Sequence, residues 1–291
     1  MAYERRHPSV LLVYYLSVTL FLMFTSHPLL RLIALCGAVL LMLSTGERAP
    51  KPGTVLFLSG MVVLTIIINP LFSHRGATEL FFFNNRPITL EAIMYGAGVA
   101  CLMLSVILWF HLLSRMLDSE KLLTLLGGVM PKTAFLVSSA LRMVPFLRRR
   151  AEAIQSTGRT MGLYGTESIP EKLSGSGKAF SALVTNSMEH AMDAGASMKA
   201  RGYGSHKRTH YKRYRFRRGD LAAIVLILCL DAGISVGLAS GEVWFTYYPR
   251  LAMHTGPMTN PVLILYALLV LLGPVAEWKE RLKWKYYVSK I

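Results

Sequence analysis

Residues 180–204 read FSALVTNSMEHAMDAGASMKARGYG, and the reading of this stretch decides the fold. Phe180, Leu183, Val184, Ser187, Ala191, Ala194 and Met198 recur at helical spacing. That pattern is a helix with one apolar or small face and one polar face. The helix ends on Arg201, held between Ala200 and Gly202, and a heavily basic run comes after it. On both sides lie runs far more apolar than this helix. The 291 residues are 53% hydrophobic and 16% charged, and the charges cluster between the long apolar runs. Such a profile belongs to an all-α, polytopic membrane protein rather than to a soluble domain.

A hydrocarbon core takes about 20 apolar helical residues to cross. Candidate spans are residues 10–24, 29–43, 54–70, 89–113, 221–240 and 261–276. The first two are short, and TSHP at 25–28 separates them. Proline restricts the residue before it and cannot continue the hydrogen-bond ladder. Two short spans in a tight helical hairpin are expected, with a single kinked or re-entrant element as the alternative. The start, MAYERRHPSVLLVYYLSVTLFLMF, has a basic head and an apolar body. It is not succeeded by a small-x-small cleavage pattern, so it reads as a retained first span. Cys36, Cys101 and Cys229 all fall inside apolar runs and read as packed or lipid-embedded thiols. No Cys/His spacing points to zinc or to a disulfide framework.

Lys and Arg placement sets the orientation. Of the 32, 28 lie in residues 1–9, 44–53, 114–220 and 277–291, against three in 25–28, 71–88 and 241–260. The first set is expected to be cytoplasmic, with both termini inside. The net charge of +16 is then a cytoplasmic face beside anionic lipid headgroups. The chain divides into N-terminal spans (1–113), a cytoplasmic block (114–220), and C-terminal spans with a basic tail (221–291).

The block holds a second amphipathic helix. In FLRRRAEAIQSTGRTMG, Leu147, Ala151, Ile154, Gly158 and Met161 are spaced by four, three, four and three. Between the two helices, GLYGTESIPEKLSGSGKA at 162–179 has Gly, Ser and Pro punctuation and reads as a loop. SGSGKA at 174–179 is not a nucleotide loop, because Lys172 and Ala179 occupy positions that need Gly and Ser or Thr. The run HKRTHYKRYRFRR at 206–218 reads as a juxtamembrane basic segment rather than a nucleic-acid patch. Asp231 stands alone within its span and is expected to pair with another helix or face a wet pocket.

Each amphipathic helix ends in an arginine beside a glycine, Arg159 in TGRTMG and Arg201 in KARGYG. A basic residue there complements the helix dipole, and Gly202 is a fitting C-terminal cap. That accounts for one end but not for the recurrence. Arginine forks to match a carboxylate with two parallel hydrogen bonds. At the tip of a stiff helix it can enter a groove on another protein. Gly158 and Ala200 before the arginines let a partner surface come close.

SMKARGYG at the end of a long cytoplasmic helix, with STGRTMGL about forty residues earlier, resembles the transmembrane T component of energy-coupling factor (ECF) transporters. That family includes the cobalt-type membrane subunits. INPLFSHRGATELF at 68–81, ITLEAIMYG at 88–96, ALRMVPFLRRRAEAI at 140–154 and HPSVLLVYYLSV near the start carry the resemblance over nearly the whole chain. The first arginine motif departs from the family's Ala-Arg-Ser or Ala-Arg-Gly, being Gly158-Arg159-Thr160 here.

The resemblance implies a scaffold without catalytic chemistry, metal or cofactor, in a prokaryotic cell membrane. It implies two coupling helices that dock Arg159 and Arg201, with Gly158, Thr160, Ala200 and Gly202 around them, on two ATP-binding-cassette ATPases. A small membrane S component that binds a vitamin, metal ion or other micronutrient would rest on the same helices. Phe135, Leu141, Leu147, Phe180, Leu183, Val184 and Met188 are the expected S-component or bilayer face. Two rival readings remain open. One is a secondary transporter or intramembrane enzyme using Asp231, Glu91 or His111. The other is a membrane anchor for nucleic acid through the basic run.

Overall fold

The computed structural model describes residues 7–45, 52–73, 76–83, 86–162, 169–205, 216–253 and 256–288. The basic head at 1–6, residues 163–168 of the expected loop and residues 206–215 of the basic run lie outside them. Two compact units form, Met1–Lys121 with Arg215–Ile291, and Leu122–Tyr214. The first unit holds α1 (Pro8–Phe24), α2 (Pro28–Thr45), α3 (Pro52–Phe72), α4 (Leu90–Met116), α8 (Arg218–Ala239) and α9 (Thr259–Val288). Helix α5 (Ser119–Val129) begins in it, and α6 (Pro131–Thr160) and α7 (Ile169–Ala200) belong to the second.

Five of these helices are long and apolar enough to cross a membrane: α2, α3, α4, α8 and the Thr259–Trp284 part of α9. Helix α1 has 17 residues and is shorter. At 1.5 Å per residue it extends about 26 Å, a little less than the roughly 30 Å hydrocarbon core. The protein is thus an all-α, polytopic membrane protein with five full-length spans and one short apolar helix among the described residues. α1 and α2 are separate helices, broken at residues 25–27 before Pro28. They do not close on each other as a tight hairpin. α1 packs chiefly on α8 and α4, and α2 chiefly on α9 and α4.

The shortest of the strongly apolar helices, α1, is the most enclosed. Val10, Leu11, Tyr14, Tyr15, Val18 and Leu22 of α1 are each at most 1% exposed. Their steps of one, three, one, three and four make a broad stripe that faces α4, α8 and α9. The rings of Tyr14, Tyr15 and Trp109 of α4 meet edge-on, with centroids 5.3–5.9 Å apart. This is the arrangement the aromatic quadrupole favours. The Tyr15 hydroxyl donates to the Met116 sulfur of α4, and three other buried aromatic side chains donate to backbone oxygens of neighbouring helices. Trp109 Nε1 donates to the Ala34 carbonyl at 3.0 Å, and the Tyr266 hydroxyl donates to that of Val18 at 3.2 Å.

The third such bond has a separate logic. The Tyr14 hydroxyl donates to the Val270 carbonyl of α9 at 2.8 Å. In a regular helix that carbonyl would receive the amide of residue 274, but residue 274 is a proline inside the helix and has no N–H. No water reaches a hydrocarbon interior to make good the loss. The α1 hydroxyl supplies the missing donor. Gly273 leaves it room, because a Cβ there would stand 2.6 Å from the hydroxyl oxygen. Gly37 of α2 abuts Val270 so closely that any Cβ would collide with its side chain. Four helices therefore converge at this level.

Asp231 of α8 accepts a hydrogen bond from Ser17 Oγ of α1 at 2.6 Å, so it is paired with another helix as its sequence context implied. Two short hairpins, absent from the sequence reading, lie in the segments expected outside. β1 (Glu79–Phe83) pairs antiparallel with β2 (Arg86–Thr89), and β3 (Phe245–Thr246) with β4 (Ala252–Met253). The first is folded back by Glu91, whose carboxylate accepts the amides of Ala77 and Thr78.

Removing the hydroxyl in Tyr14→Phe strands the Val270 carbonyl and is expected to cost about 1–3 kcal/mol, read from SDS-titrated unfolding. In a Pro274→Ala background the restored amide serves that carbonyl, and the same change should cost less than half as much. Equal costs in both backgrounds would refute the assignment.

Candidate functional site

The second unit is built on α6 and α7. Helix α6 has 30 residues, beginning well before the periodic stretch that announced it. Pro131 at its first position fits, because the missing amide there has no intrahelical partner to lose. Helix α7 begins at Ile169, which corrects the loop expected over 162–179. Gly175 is buried and lies within the helix rather than in a turn. Residues 174–179 are consequently helical, their amides are turned into the helix, and they cannot wrap a phosphate.

Two ring pairs fix α6 against α7. Phe135 stacks on Tyr203, just past α7, with centroids 5.1 Å apart at 27°. Phe146 stacks on His190 at 4.6 Å and 19°. Rising numbers on α6 meet falling numbers on α7, so the two helices are antiparallel. Their C-terminal ends therefore lie at opposite ends of the pair. From Phe135, level with Tyr203, to Arg159 is 24 residues, or about 36 Å along the helix.

The two arginine ends share a register. Arg159-Thr160-Met161-Gly162 and Arg201-Gly202-Tyr203-Gly204 each place the arginine three residues before a glycine of positive φ, +69° and +95°. The residue immediately after the arginine distinguishes the two ends. Gly202, at φ +76°, closes α7 with two bonds, Tyr203 N–H to the Met198 carbonyl and Gly202 N–H to that of Lys199, both 3.0 Å. This paired closure makes Arg201 the last residue before the left-handed turn. At the matching position Thr160 stays helical, and α6 closes later, with the Gly162 amide on the Arg159 carbonyl at 3.2 Å. Arg159 thus projects from inside the last turn and Arg201 from the cap itself. Both side chains are exposed, and neither has a hydrogen-bond or ion-pair partner among the described residues. Gly158 is buried, whereas Thr160, Ala200 and Gly202 are exposed beside the arginines.

The seven apolar positions read as a partner face divide in two. Leu141, Phe180, Val184 and Met188 are exposed, Phe180 at 68% and Met188 at 65%. Phe135, Leu147 and Leu183 are half-buried. Leu183 lies on the α7 face of Ser187 and His190, which turns toward α6. Leu147 lies on the line Met143, Leu147, Ala151, Ile154 and Gly158, the covered side of α6. Val137, Val144 and Met192 extend the open stripes and were missed. Their spacing of three and four from Leu141 and Met188 was the available signal.

The polar groups of the rival reading do not converge. Glu91 and His111 are 20 residues apart on α4, about 30 Å along its axis. Asp231 is on α8 and bonded to Ser17. Among the described residues, no three His, Cys, Asp or Glu side chains are grouped to hold a metal ion.

Valine at Gly202 would be forced into the left-handed region at a cost of about 1–2 kcal/mol. In Gly202→Val the Tyr203 amide should exchange with deuterium roughly tenfold faster. Thr160→Val, on helical backbone, should leave the Met161 amide protected. An unchanged Tyr203 rate would mean that the cap is not as described.

A family model described as CbiQ, cobalt transport protein, matches residues 3–211 of the chain. No curated protein matches it.

Proposed function

The chain belongs to the CbiQ cobalt transport protein family and is a multi-pass membrane transport component; from that premise we propose that it is the T component of an ECF-type importer. It carries out no chemistry in this reading. It couples ATP hydrolysis by two partner ABC-type ATPases to uptake of a micronutrient held by a separate membrane S component. α6 and α7 are its coupling helices, and both chain termini lie on the cytoplasmic side of the cell membrane.

The observation that carries the proposal is the pair of arginine tips. Both point to solvent, both lack a partner within the described chain, and both stand three residues before a left-handed glycine. They sit at opposite ends of an antiparallel helix pair, about 36 Å apart along α6. That spacing suits one arginine for each of two subunits rather than two arginines in one groove. A guanidinium entering a carboxylate-lined groove makes paired, charge-assisted bonds and fixes register. Movement of either ATPase would then be carried along a stiff rod rather than lost in a loop.

The open apolar stripes supply the second half of the reading. Leu141, Val144, Phe180, Val184, Met188 and Met192 are all exposed. Apolar area of that extent marks an interaction surface. An S component or the bilayer is the occupant that fits a membrane transport component.

Arg159→Glu with Arg201→Glu should abolish co-purification of the ATPases in mild detergent while the chain still inserts. Survival of the complex would sink the docking proposal. Each single reversal should leave one ATPase contact and weaken recovery less than the double. For orientation, Met161→Cys in a Cys36, Cys101 and Cys229 triple-serine background should react with an impermeant maleimide only after cells are permeabilised. Labelling of intact cells would invert the topology.

A further inference from the structure

Helix α9 continues past the point where the protein covers it. Glu277 is 2% exposed, and every described side chain after it on this helix is exposed. Ile264, Leu268, Leu271, Val275, Trp278 and Leu282 are spaced by four, three, four, three and four, each 38–63% exposed. They form one unbroken stripe along α9. Its first four members lie within the span, where an outward apolar side chain meets lipid tails. The stripe then runs on into Trp278 and Leu282 without changing face.

Length places these residues at depth. From Thr259 to Trp278 is 20 residues, about 30 Å of helix, which matches the hydrocarbon thickness. Trp278 therefore falls at the boundary between tails and headgroups, the level at which tryptophan is enriched. The helix is 30 residues long, about 45 Å, equal to a bilayer with its headgroup layers included. Lys279 and Lys283 flank the stripe on one side and Arg281 on the other, by the 100° step of the helix. None has an ion-pair partner among the described residues.

We propose that the C-terminal end of α9 is a docking segment for anionic phospholipids, with Trp278 and Leu282 seated at the headgroup boundary and Lys279, Arg281 and Lys283 holding lipid phosphates. Continuity with the lipid-facing stripe favours lipid over a protein partner, which would have to take up the same face within one turn. The three cations match the charge of an anionic headgroup and the reach of side chains that extend toward the phosphate layer. The proposal stands on the membrane-spanning character of α9 and not on ATPase docking.

The full chain is reconstituted in phosphatidylcholine vesicles containing equal mole fractions of brominated-acyl phosphatidylglycerol or brominated-acyl phosphatidylcholine. The signal of Trp278 and Trp284 is taken as the difference between the parent and Trp278→Phe/Trp284→Phe, so that Trp109 and Trp244 cancel. The anionic quencher should act with at least twofold higher apparent affinity. Lys279→Gln/Arg281→Gln/Lys283→Gln should remove that preference and leave quenching by the choline lipid in place. Equal quenching by both lipids in the parent overturns the proposal, as does a preference that survives in the neutral variant. Quenching by aqueous iodide with none by either brominated lipid also overturns it, and would put the segment in water or against protein. The parent comparison stands even if the triple variant inserts poorly.

Discussion

A membrane span must satisfy its own backbone, and this protein meets that constraint at its weakest place with a single phenol. Pro274 deprives the Val270 carbonyl of its donor, and the Tyr14 hydroxyl replaces it from another helix. The bond ties the short α1 to the last helix, and Trp109, Tyr15 and Gly37 pack around it. The short α1 is consequently central rather than peripheral. Its modest length, which leaves it below a full crossing, goes with one face fully enclosed, chiefly by α4 and α8, while Leu16, Leu20 and Met23 stay exposed on the other.

The second unit obeys a different rule. Neither α6 nor α7 is among the helices apolar enough to cross a membrane, and both leave polar and apolar faces open. Their covered line is made of small and medium side chains such as Ala151 and Gly158, with two stacked ring pairs fixing the register. Because the pair is antiparallel, two ends of similar sequence are carried far apart. Thr160 and Gly202 then give each arginine its own local frame. The two ends of this chain thus differ in where the helix stops relative to the arginine.

Much of this could be read from the sequence, because periodicity and apolar length report directly on burial. The first five spans appeared within a few residues of their ends, whereas the last helix runs on to Val288, well past the expected end at 276; the break before Pro28 came from proline geometry. The amphipathic pair came from steps of three and four. The features that escaped notice depended on neighbours distant in the chain. Gly175 reads as punctuation but is a buried position within the helix, so the start of α7 was missed. Pro70 reads as the end of a span, yet it lies inside a helix, as Pro274 does. Nothing local to Pro274 tells that Tyr14 will stand beside it. The hairpins at 79–89 and 245–253 were too short to carry a strand signal. The sorting of Leu147 and Leu183 onto the covered side needs knowledge of which face each helix turns to the other.

The Tyr14–Val270 bond joins residues 256 apart in sequence. A ribosome working at about 5–20 residues per second needs on the order of ten to fifty seconds to make that interval. Throughout it, α1 has been delivered to the membrane without the helix that completes its packing. Helices α4 and α8, made earlier, can cover most of the enclosed face of α1, but the Tyr14 hydroxyl lacks its acceptor until α9 emerges. The Tyr14 hydroxyl therefore meets its acceptor only when α9 is made, and a chain truncated before α9 keeps the α4 and α8 contacts of α1 but loses that bond.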